Sequence, residues 1–286
     1  MKLVTYRENG AEKVGALTKD GTAILPLPAP DMNSLIETMT LSDLSSAVTA
    51  AEGSGASVAL AEVELLAPIP RPRQDVLCLG MNYKAHASEA AKYDAGAFTK
   101  EKPVAVYFSK RVSEAVAPGG VIQSHQDLVE RLDYEVELAV ILGKTAKNVS
   151  AAEVGDYIFG YTILNDVSAR DVQTGHKQWY FGKSLDGFTP MGPCIVTADE
   201  FDTYPPALPI RSRVNGELRQ DSNTKLQIFD IDHVIHELSQ GMTLKAGTII
   251  ATGTPAGVGM GMDPPQFLHP GDTVQCEIEG IGTLTN

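Results

Sequence analysis

The run Asp133-Tyr134-Glu135-Val136-Glu137-Leu138-Ala139-Val140-Ile141-Leu142 decides how the rest of the chain is read. Tyr134, Val136, Leu138, Val140 and Leu142 take alternate positions, the two-residue period of a strand that turns one face to a core. The opposite face opens with three carboxylates, Asp133, Glu135 and Glu137, and turns apolar only at Ala139 and Ile141. Same-face neighbours on a strand lie roughly 6.5–7 Å apart, so Glu135 and Glu137 can reach one ion between them. Carboxylates held side by side repel unless a proton or a cation neutralises them. A hard divalent cation bound through oxygen meets that need. The other reading of the pattern is a strand whose outer face is simply acidic and solvated.

A third ligand stands about thirty residues on. Tyr157-Ile158-Phe159-Gly160-Tyr161-Thr162-Ile163-Leu164 is rich in aromatic and β-branched residues and reads as a buried strand. It runs into Asn165-Asp166-Val167-Ser168-Ala169-Arg170-Asp171-Val172-Gln173, which places Asp166 at the carboxyl end of that strand. Two Glu and one Asp, with other oxygens completing the shell, suit Mg²⁺ or Mn²⁺ and argue against structural zinc. The competing role for Asp166 is helix N-capping, for which Ser168 is also suited.

Other residues carry possible chemistry. His86 and Glu89 stand at i and i+3, so the carboxylate can orient the imidazole and the pair can accept a proton. The same pair could equally be a routine surface contact. Lys183 leaves the aromatic run Trp179-Tyr180-Phe181-Gly182, where a desolvated ammonium could face an oxyanion or a snorkelling one could reach water. Arg170 could clamp a carboxylate or pair with Asp171, and Thr254 could bind a carboxylate or only shape its turn. Gly257-Val258-Gly259-Met260-Gly261 is dismissed as a dinucleotide loop, because Asp263-Pro264-Pro265 follows where a helix must open. His233 and His236 lack the surrounding pattern of a zinc protease.

Six motifs run in order along the chain. They are Gly80-Met81-Asn82-Tyr83-Lys84-Ala85-His86-Ala87-Ser88-Glu89, Asp133-Tyr134-Glu135-Val136-Glu137-Leu138 and Asn165-Asp166-Val167-Ser168-Ala169-Arg170-Asp171. Gly182-Lys183-Ser184, Arg213-Val214-Asn215-Gly216-Glu217 and Thr252-Gly253-Thr254-Pro255-Ala256-Gly257 follow. In this ordered set the chain resembles the fumarylacetoacetate hydrolase family, and within it the short acylpyruvase, oxaloacetate decarboxylase and diketo-acid hydrolase members. The resemblance implies an α+β fold, with a mixed, mainly antiparallel rolled β-sheet as the catalytic domain, usually in a homodimer. It implies Mg²⁺ or Mn²⁺ on Glu135, Glu137 and Asp166, with His86 and Glu89 on a lid segment. The implied substrate is a small anionic 2-oxo or 2,4-dioxo acid. Tyr83, inside the first motif, and Gln173, just past the third, are expected at the substrate with Arg170 and Thr254. Two departures bear on the distal part of that substrate: Arg111 follows Lys110 where many relatives have Lys-Pro, and Met81 stands where some have Arg.

The reaction expected from these parts is metal-assisted hydrolysis. The His86–Glu89 dyad activates water against the 4-carbonyl of a 2,4-dioxo acid, and Lys183 carries the charge of the departing 2-oxo enolate. Decarboxylation of an oxaloacetate-like acid gives the same enolate. Tautomerisation or isomerisation of a 2-hydroxy-dienoate needs no hydrolytic water, and a metabolite-binding protein without catalysis is the reading from another class.

Composition narrows the field. The chain has 286 residues and a net charge of −13, which speaks against nucleic acid and anionic membranes as partners. No stretch reaches the roughly 20 apolar residues that span a bilayer, and Met1-Lys2-Leu3-Val4 lacks a signal-peptide layout. Cys78, Cys194 and Cys276 are odd in number and scattered, which fits reduced thiols in the cytoplasm.

Pro68-Ile69-Pro70-Arg71-Pro72 suggests a boundary between a small N-terminal α/β domain, residues 1–67, and a catalytic domain, residues 68–286. The first part reads as three strands, Lys2–Arg7, Lys13–Leu17 and Thr22–Leu27, two helices and a strand near Val63–Leu66. In the second part Asp75–Leu79 reads as a strand, Ala85–Ala91 as a helix and Asp94–Glu101 as a mobile loop. Ile228–Leu238 reads as a helix and Thr248–Thr252 as a strand.

Overall fold

A computed structural model describes residues 1–90 and 104–286. The expected loop Asp94–Glu101 lies outside the described residues, as does position 91 of the expected helix. The N-terminal segment forms β1 (Lys2–Glu8), β2 (Ala11–Leu17) and β3 (Ala23–Pro26), then helices α1 (Met32–Thr38) and α2 (Leu41–Ser54), then short strands β4 (Val58–Ala59) and β5 (Glu64–Leu65). Asn9 and Gly10 make the first turn with φ of 50° and 79°, a backbone region that Asn and Gly tolerate best.

After the prolines come β6 (Val76–Gly80), α3 (Lys84–Ala90), β7 (Val106–Lys110), β8 (Leu132–Asp133) and β9 (Val136–Leu142). Next are β10 (Ile158–Asn165), β11 (Ser168–Ala169), α4 (Arg170–Gly175), α5 (Tyr180–Lys183) and β12 (Met191–Thr197). The chain continues through β13 (Pro209–Val214), β14 (Glu217–Asn223), α6 (Ile231–Gly241), β15 (Ile249–Ala251), β16 (Val274–Ile278) and β17 (Gly282–Thr285).

One large sheet runs in the order β4-β3-β2-β1-β12-β10-β9-β15-β6-β7, with β5 added on β1. Its pairings are antiparallel except that of β15 with β6. A second, four-stranded antiparallel sheet has the order β14-β13-β16-β17. The fold is therefore the α+β, mixed and mainly antiparallel architecture expected. The first 67 residues join the large sheet directly, because β1 pairs with β12 at Lys2↔Val196 and Leu3↔Ile195.

The alternation in the opening run maps onto this architecture. Tyr134, Val136, Leu138, Val140 and Leu142 pack in one hydrophobic cluster with β13, β16 and α6, whereas Ala139 and Ile141 pack in another with α1 and α2. β9 is thus buried on both faces, and its acidic end points into the protein, not into water. Burying Leu138 or Val140 removes a full side chain from solvent, and truncation of a buried Leu costs about 2–5 kcal/mol. The α6 helix is amphipathic in the usual way: Ile231, Val234, Ile235 and Leu238 are buried, and Asp230 caps its first turn by accepting from the His233 N–H at 2.8 Å.

Candidate active site

β9 and β10 pair antiparallel with Asn165 opposite Val136 and Leu164 opposite Glu137. This register brings the acidic start of β9 against the polar exit of β10. Asn165 Oδ1 accepts from the Glu135 N–H at 3.0 Å, and the Asp166 N–H donates to the Glu135 carbonyl at 2.9 Å. Glu135, Glu137 and Asp166 are all buried, and one oxygen from each lies within 4.8 Å of the others. The three residues expected to grip one ion are together. Asp166 caps no helix: the residue before α4 is Ala169, and no side chain caps that helix.

Buried carboxylates need compensation. Lys183 Nζ lies 2.9 Å from Glu135 Oε2 and 2.7 Å from Asp166 Oδ2. Arg170 Nη2 lies 2.7 Å from Glu135 Oε1, and its Nε donates to Asp133 Oδ2 at 2.8 Å. Burial alone would push the Glu135 carboxyl up, but Lys183, then Arg170 and His86, hold it down at about 2. Glu137 is different. It accepts one hydrogen bond, from the Gly253 N–H at 2.9 Å, and has no ion-pair partner among the described residues. Burial, then the charges of Asp166 and Glu135, push its carboxyl well above the usual range.

The charge balance of this pocket tests whether a cation fits. Four buried carboxylates, Asp133, Glu135, Glu137 and Asp166, face three buried cations, Lys110, Arg170 and Lys183. With all four ionised one negative charge would be left over, and Glu137 is the carboxyl without a counter-ion. A divalent cation on the triad would hold Glu137 ionised and leave the pocket with one positive charge. That balance suits an anionic substrate, and the all-oxygen donor set suits Mg²⁺ or Mn²⁺.

Glu135 and Lys183 line a cavity of about 140 Å³ together with His86, Glu89, Arg170, Gln173 and Thr254. Its apolar walls include Leu79, Phe108, Trp179, Val258 and Met260. Phe108 and Trp179 meet edge to face at 5.3 Å, and Lys183 Nζ lies 5.3 Å from the centre of the Phe108 ring. The expected emergence of Lys183 from an apolar segment is therefore realised as burial among aromatics. His86 Nδ1 lies 3.3 Å from Glu89 Oε2 in the first turns of α3, which leaves Nε2 to face a substrate. Gln173 Oε1 accepts from Arg170 Nη1 at 3.1 Å.

Three expectations need amendment. Arg170 does not pair with Asp171, which instead accepts from the Glu130 and Arg131 N–H groups; all three guanidinium nitrogens of Arg170 face protein partners, Nε on Asp133, Nη1 on Gln173 and Nη2 on Glu135, so a substrate can share only the N–H groups those contacts leave over. The Thr254 hydroxyl donates its one proton to the Val136 carbonyl at 2.9 Å and accepts from Gln220 Nε2 at 2.7 Å, so it cannot also donate to a ligand. Tyr83 is not among the residues lining the cavity; it is buried and its backbone bridges to Gln227. Of the two departures from the family pattern, Met81 lines the cavity, with a left-handed φ of 56°, and Arg111 does not.

Other residues matter although no motif marked their roles. Lys110 Nζ, fully buried, donates to Asp166 Oδ1 at 2.7 Å, to the Val167 carbonyl at 3.1 Å and to the Lys183 carbonyl. Gln220 ties the second sheet to the site, since its Oε1 accepts from the Val136 N–H and its Nε2 reaches Thr254 and the Pro255 carbonyl. Asn82 fixes the start of α3 by donating to the Phe229 and Thr252 carbonyls and accepting from the Phe229 N–H.

A family model described as fumarylacetoacetate (FAA) hydrolase C-terminal matches residues 75–286. The chain belongs to the fumarylacetoacetate hydrolase family. Among curated members it is 46% identical over 227 residues to the oxaloacetate tautomerase YisK of Bacillus subtilis, covering 79% of this chain and 73% of the relative. Among solved members it superposes on a fumarylacetoacetate hydrolase from psychrophilic Exiguobacterium antarcticum with a TM-score of 0.83 at 39% identity, covering 100% of this chain and 98% of the other. A 2-hydroxyhepta-2,4-diene-1,7-dioate isomerase from Mycobacterium marinum superposes with a TM-score of 0.75 at 34% identity, covering 100% and 97%. Members of this family are enzymes, and they act on small organic acids. In the described residues no helix is long and apolar enough to cross a membrane.

Proposed function

We propose that the protein is a divalent-metal-dependent enzyme that makes and reprotonates the enolate of a small 2-oxo acid, with keto–enol conversion of an oxaloacetate-like acid as its reaction. The observation that carries this reading is the convergence on one cavity of Glu135 from the acidic triad, the Lys183 ammonium and the His86–Glu89 pair. An enolate needs positive charge at its oxygen and an acid–base group near the adjacent carbon, and these groups supply both. The similarity to an oxaloacetate tautomerase supports the same choice.

Glu135, Glu137 and Asp166 would hold the cation, which when bound supplies Lewis acidity toward the 2-oxo group. The chain does the rest. Arg170 and Gln173, both lining the cavity, orient the substrate carboxylate. His86 takes a proton from C3 through Nε2, and Glu89 on Nδ1 stabilises the resulting imidazolium. The electron pair of the broken C–H bond becomes the C2–C3 double bond and the carbonyl π pair moves to the 2-oxo oxygen, where Lys183 faces it. Return of the proton to C3 or to the oxygen gives the keto or enol form. Desolvation by Phe108, Trp179 and Leu79 strengthens these charge contacts.

Hydrolysis of a 2,4-dioxo acid is the second reading, favoured by the same His86–Glu89 pair, which is equally suited to activate water. Decarboxylation would reach the same enolate. Two assays separate them. Ultraviolet decay of enol-oxaloacetate with Mg²⁺ should be accelerated by the wild type and slowed by about 10²–10⁴-fold in His86→Asn. Release of pyruvate from acylpyruvates or oxaloacetate in place of simple enol decay would select hydrolysis or decarboxylation. No acceleration of any of these reactions with Mg²⁺ or Mn²⁺ would overturn the proposal.

A further inference from the structure

The glycine-rich segment 257–261 lies against the proposed acid–base pair. The Gly257 N–H donates to Glu89 Oε1 at 3.0 Å, while Glu89 Oε2 faces His86 Nδ1. A methyl group placed on Gly261 would stand 2.7 Å from Glu89 Cδ, and 2.8 and 2.9 Å from its two oxygens. The segment thus touches the whole carboxylate, and only the missing side chain at Gly261 leaves room for it.

The segment is itself fixed from the metal side. Asp133 Oδ1 accepts from the Gly259 N–H at 2.7 Å and Asp133 Oδ2 from the Met260 N–H at 3.0 Å. The Tyr134 hydroxyl donates to the Gly257 carbonyl at 2.9 Å. Asp133 is fully buried and also binds Arg170. Both anchors immediately precede the proposed ligand Glu135.

We infer that residues 257–261 form a seat that recognises the Glu89 carboxylate and thereby sets the position of His86 relative to the metal ligands. Gly257, Gly261 and Asp133 act as positioning residues through Glu89. Recognition is by one backbone N–H and close steric fit, so it requires a carboxylate at 89 and hydrogen at the 261 α-carbon. The seat is built from the chain that carries Asp133 and Tyr134, so base and metal ligands are registered by a common element. This inference rests on the reading of His86–Glu89 as the acid–base pair, and its test includes a readout that needs no substrate.

The test is Gly261→Ala, alone and combined with Glu89→Ala. Gly261 lies outside the left-handed region, and the new methyl meets the end of a flexible side chain, so the variant folds. Alone it lowers kcat by roughly 10–100-fold, the effect of displacing a catalytic group by about an ångström. In the Glu89→Ala protein the same substitution has no further effect, because the side chain it displaces is gone. Amide exchange of Gly257, followed in the metal-free protein without substrate, becomes faster in both single variants. Unchanged Gly257 exchange in Gly261→Ala and Glu89→Ala would overturn the inference whatever the substrate is. So would an equal loss of kcat in both backgrounds. If Gly261→Ala does not fold, Gly257 exchange in Glu89→Ala decides alone.

Discussion

Lys110 Nζ and Asp166 Oδ1 form an ion pair of 2.7 Å in which both side chains are fully buried. Burial works against the Lys110 charge, and Asp166 opposes that effect. The pair occupies one oxygen of Asp166 and leaves the other directed toward Lys183 and the triad. Lys110→Met strands a buried carboxylate oxygen and removes two further hydrogen bonds, to Val167 and Lys183. The expected loss is roughly 3–5 kcal/mol in urea unfolding of the metal-free protein. A loss below about 1 kcal/mol would show that the pair does not hold the site together.

Glu135 and Glu137 should respond in opposite ways to the same isosteric change. Glu135→Gln removes the charge that Arg170 and Lys183 share, so the metal-free protein is destabilised. Glu137→Gln removes a carboxyl without a counter-ion while its carbonyl can still accept from the Gly253 N–H, so the metal-free protein is as stable as wild type or more so. Both variants lose Mn²⁺ binding in a titration followed by electron paramagnetic resonance. Equal destabilisation by the two changes would contradict the charge assignment.

The pH dependence has a defined sign. Glu135 is held at about 2 by Lys183 and Arg170 against the effect of burial. Its contribution is complete above the ordinary carboxylate range and is lost as pH falls toward 2. Glu137 is raised, by burial and then by Asp166 and Glu135. Its contribution is complete below the ordinary range and is lost as pH rises through its elevated value, which costs the metal-free protein stability as pH rises. Metal binding must expel that proton, so the rise in Tm on adding Mg²⁺ should grow as pH rises above the ordinary carboxylate range. Melting curves with Mg²⁺ and with chelator check this, and a rise that is constant or shrinks with pH would contradict it.

The cavity wall offers an optical test. A methyl on Gly80 would fall 2.1 Å from Trp179 Cζ3, a rigid ring atom, so Gly80→Ala must move the indole. Trp179 is the only tryptophan in the chain, and its emission reports the cavity directly. Gly80→Ala should shift that emission and raise KM several-fold, with Mn²⁺ affinity intact because the triad is untouched. An unshifted spectrum would place Trp179 away from Gly80.

Much of this was readable from residue order, and the exceptions share a cause. The alternation from Tyr134 to Leu142 specified a strand with one face on a core; burial of its other face depends on packing against α1 and α2, and Glu135, Glu137 and Asp166 meet because β9 and β10 pair in one register. His86 and Glu89 were legible as an i, i+3 pair, since a helix turn alone brings them together. The linkage of Lys110 to Asp166, and of Gln220 to Thr254 and Val136, depends on tertiary approach between segments far apart in the chain. No local period encodes that approach. Arg170 and Asp171 are adjacent in sequence yet point to different partners, which spacing cannot distinguish. Gly257, Gly259 and Gly261 resemble a nucleotide loop only in their spacing; the fit of Gly261 to Glu89 is steric, and only the position of Glu89 shows it.

The central claim is that Glu135, Glu137 and Asp166 grip one hard cation beside Lys183. Anomalous diffraction at the manganese edge, from crystals grown with Mn²⁺ and oxalate, tests it most directly. The account predicts a single strong peak bonded to an oxygen of each of the three residues, with oxalate on its open side facing His86. A peak elsewhere, or none with Lys183 still bridging Glu135 and Asp166, would contradict it.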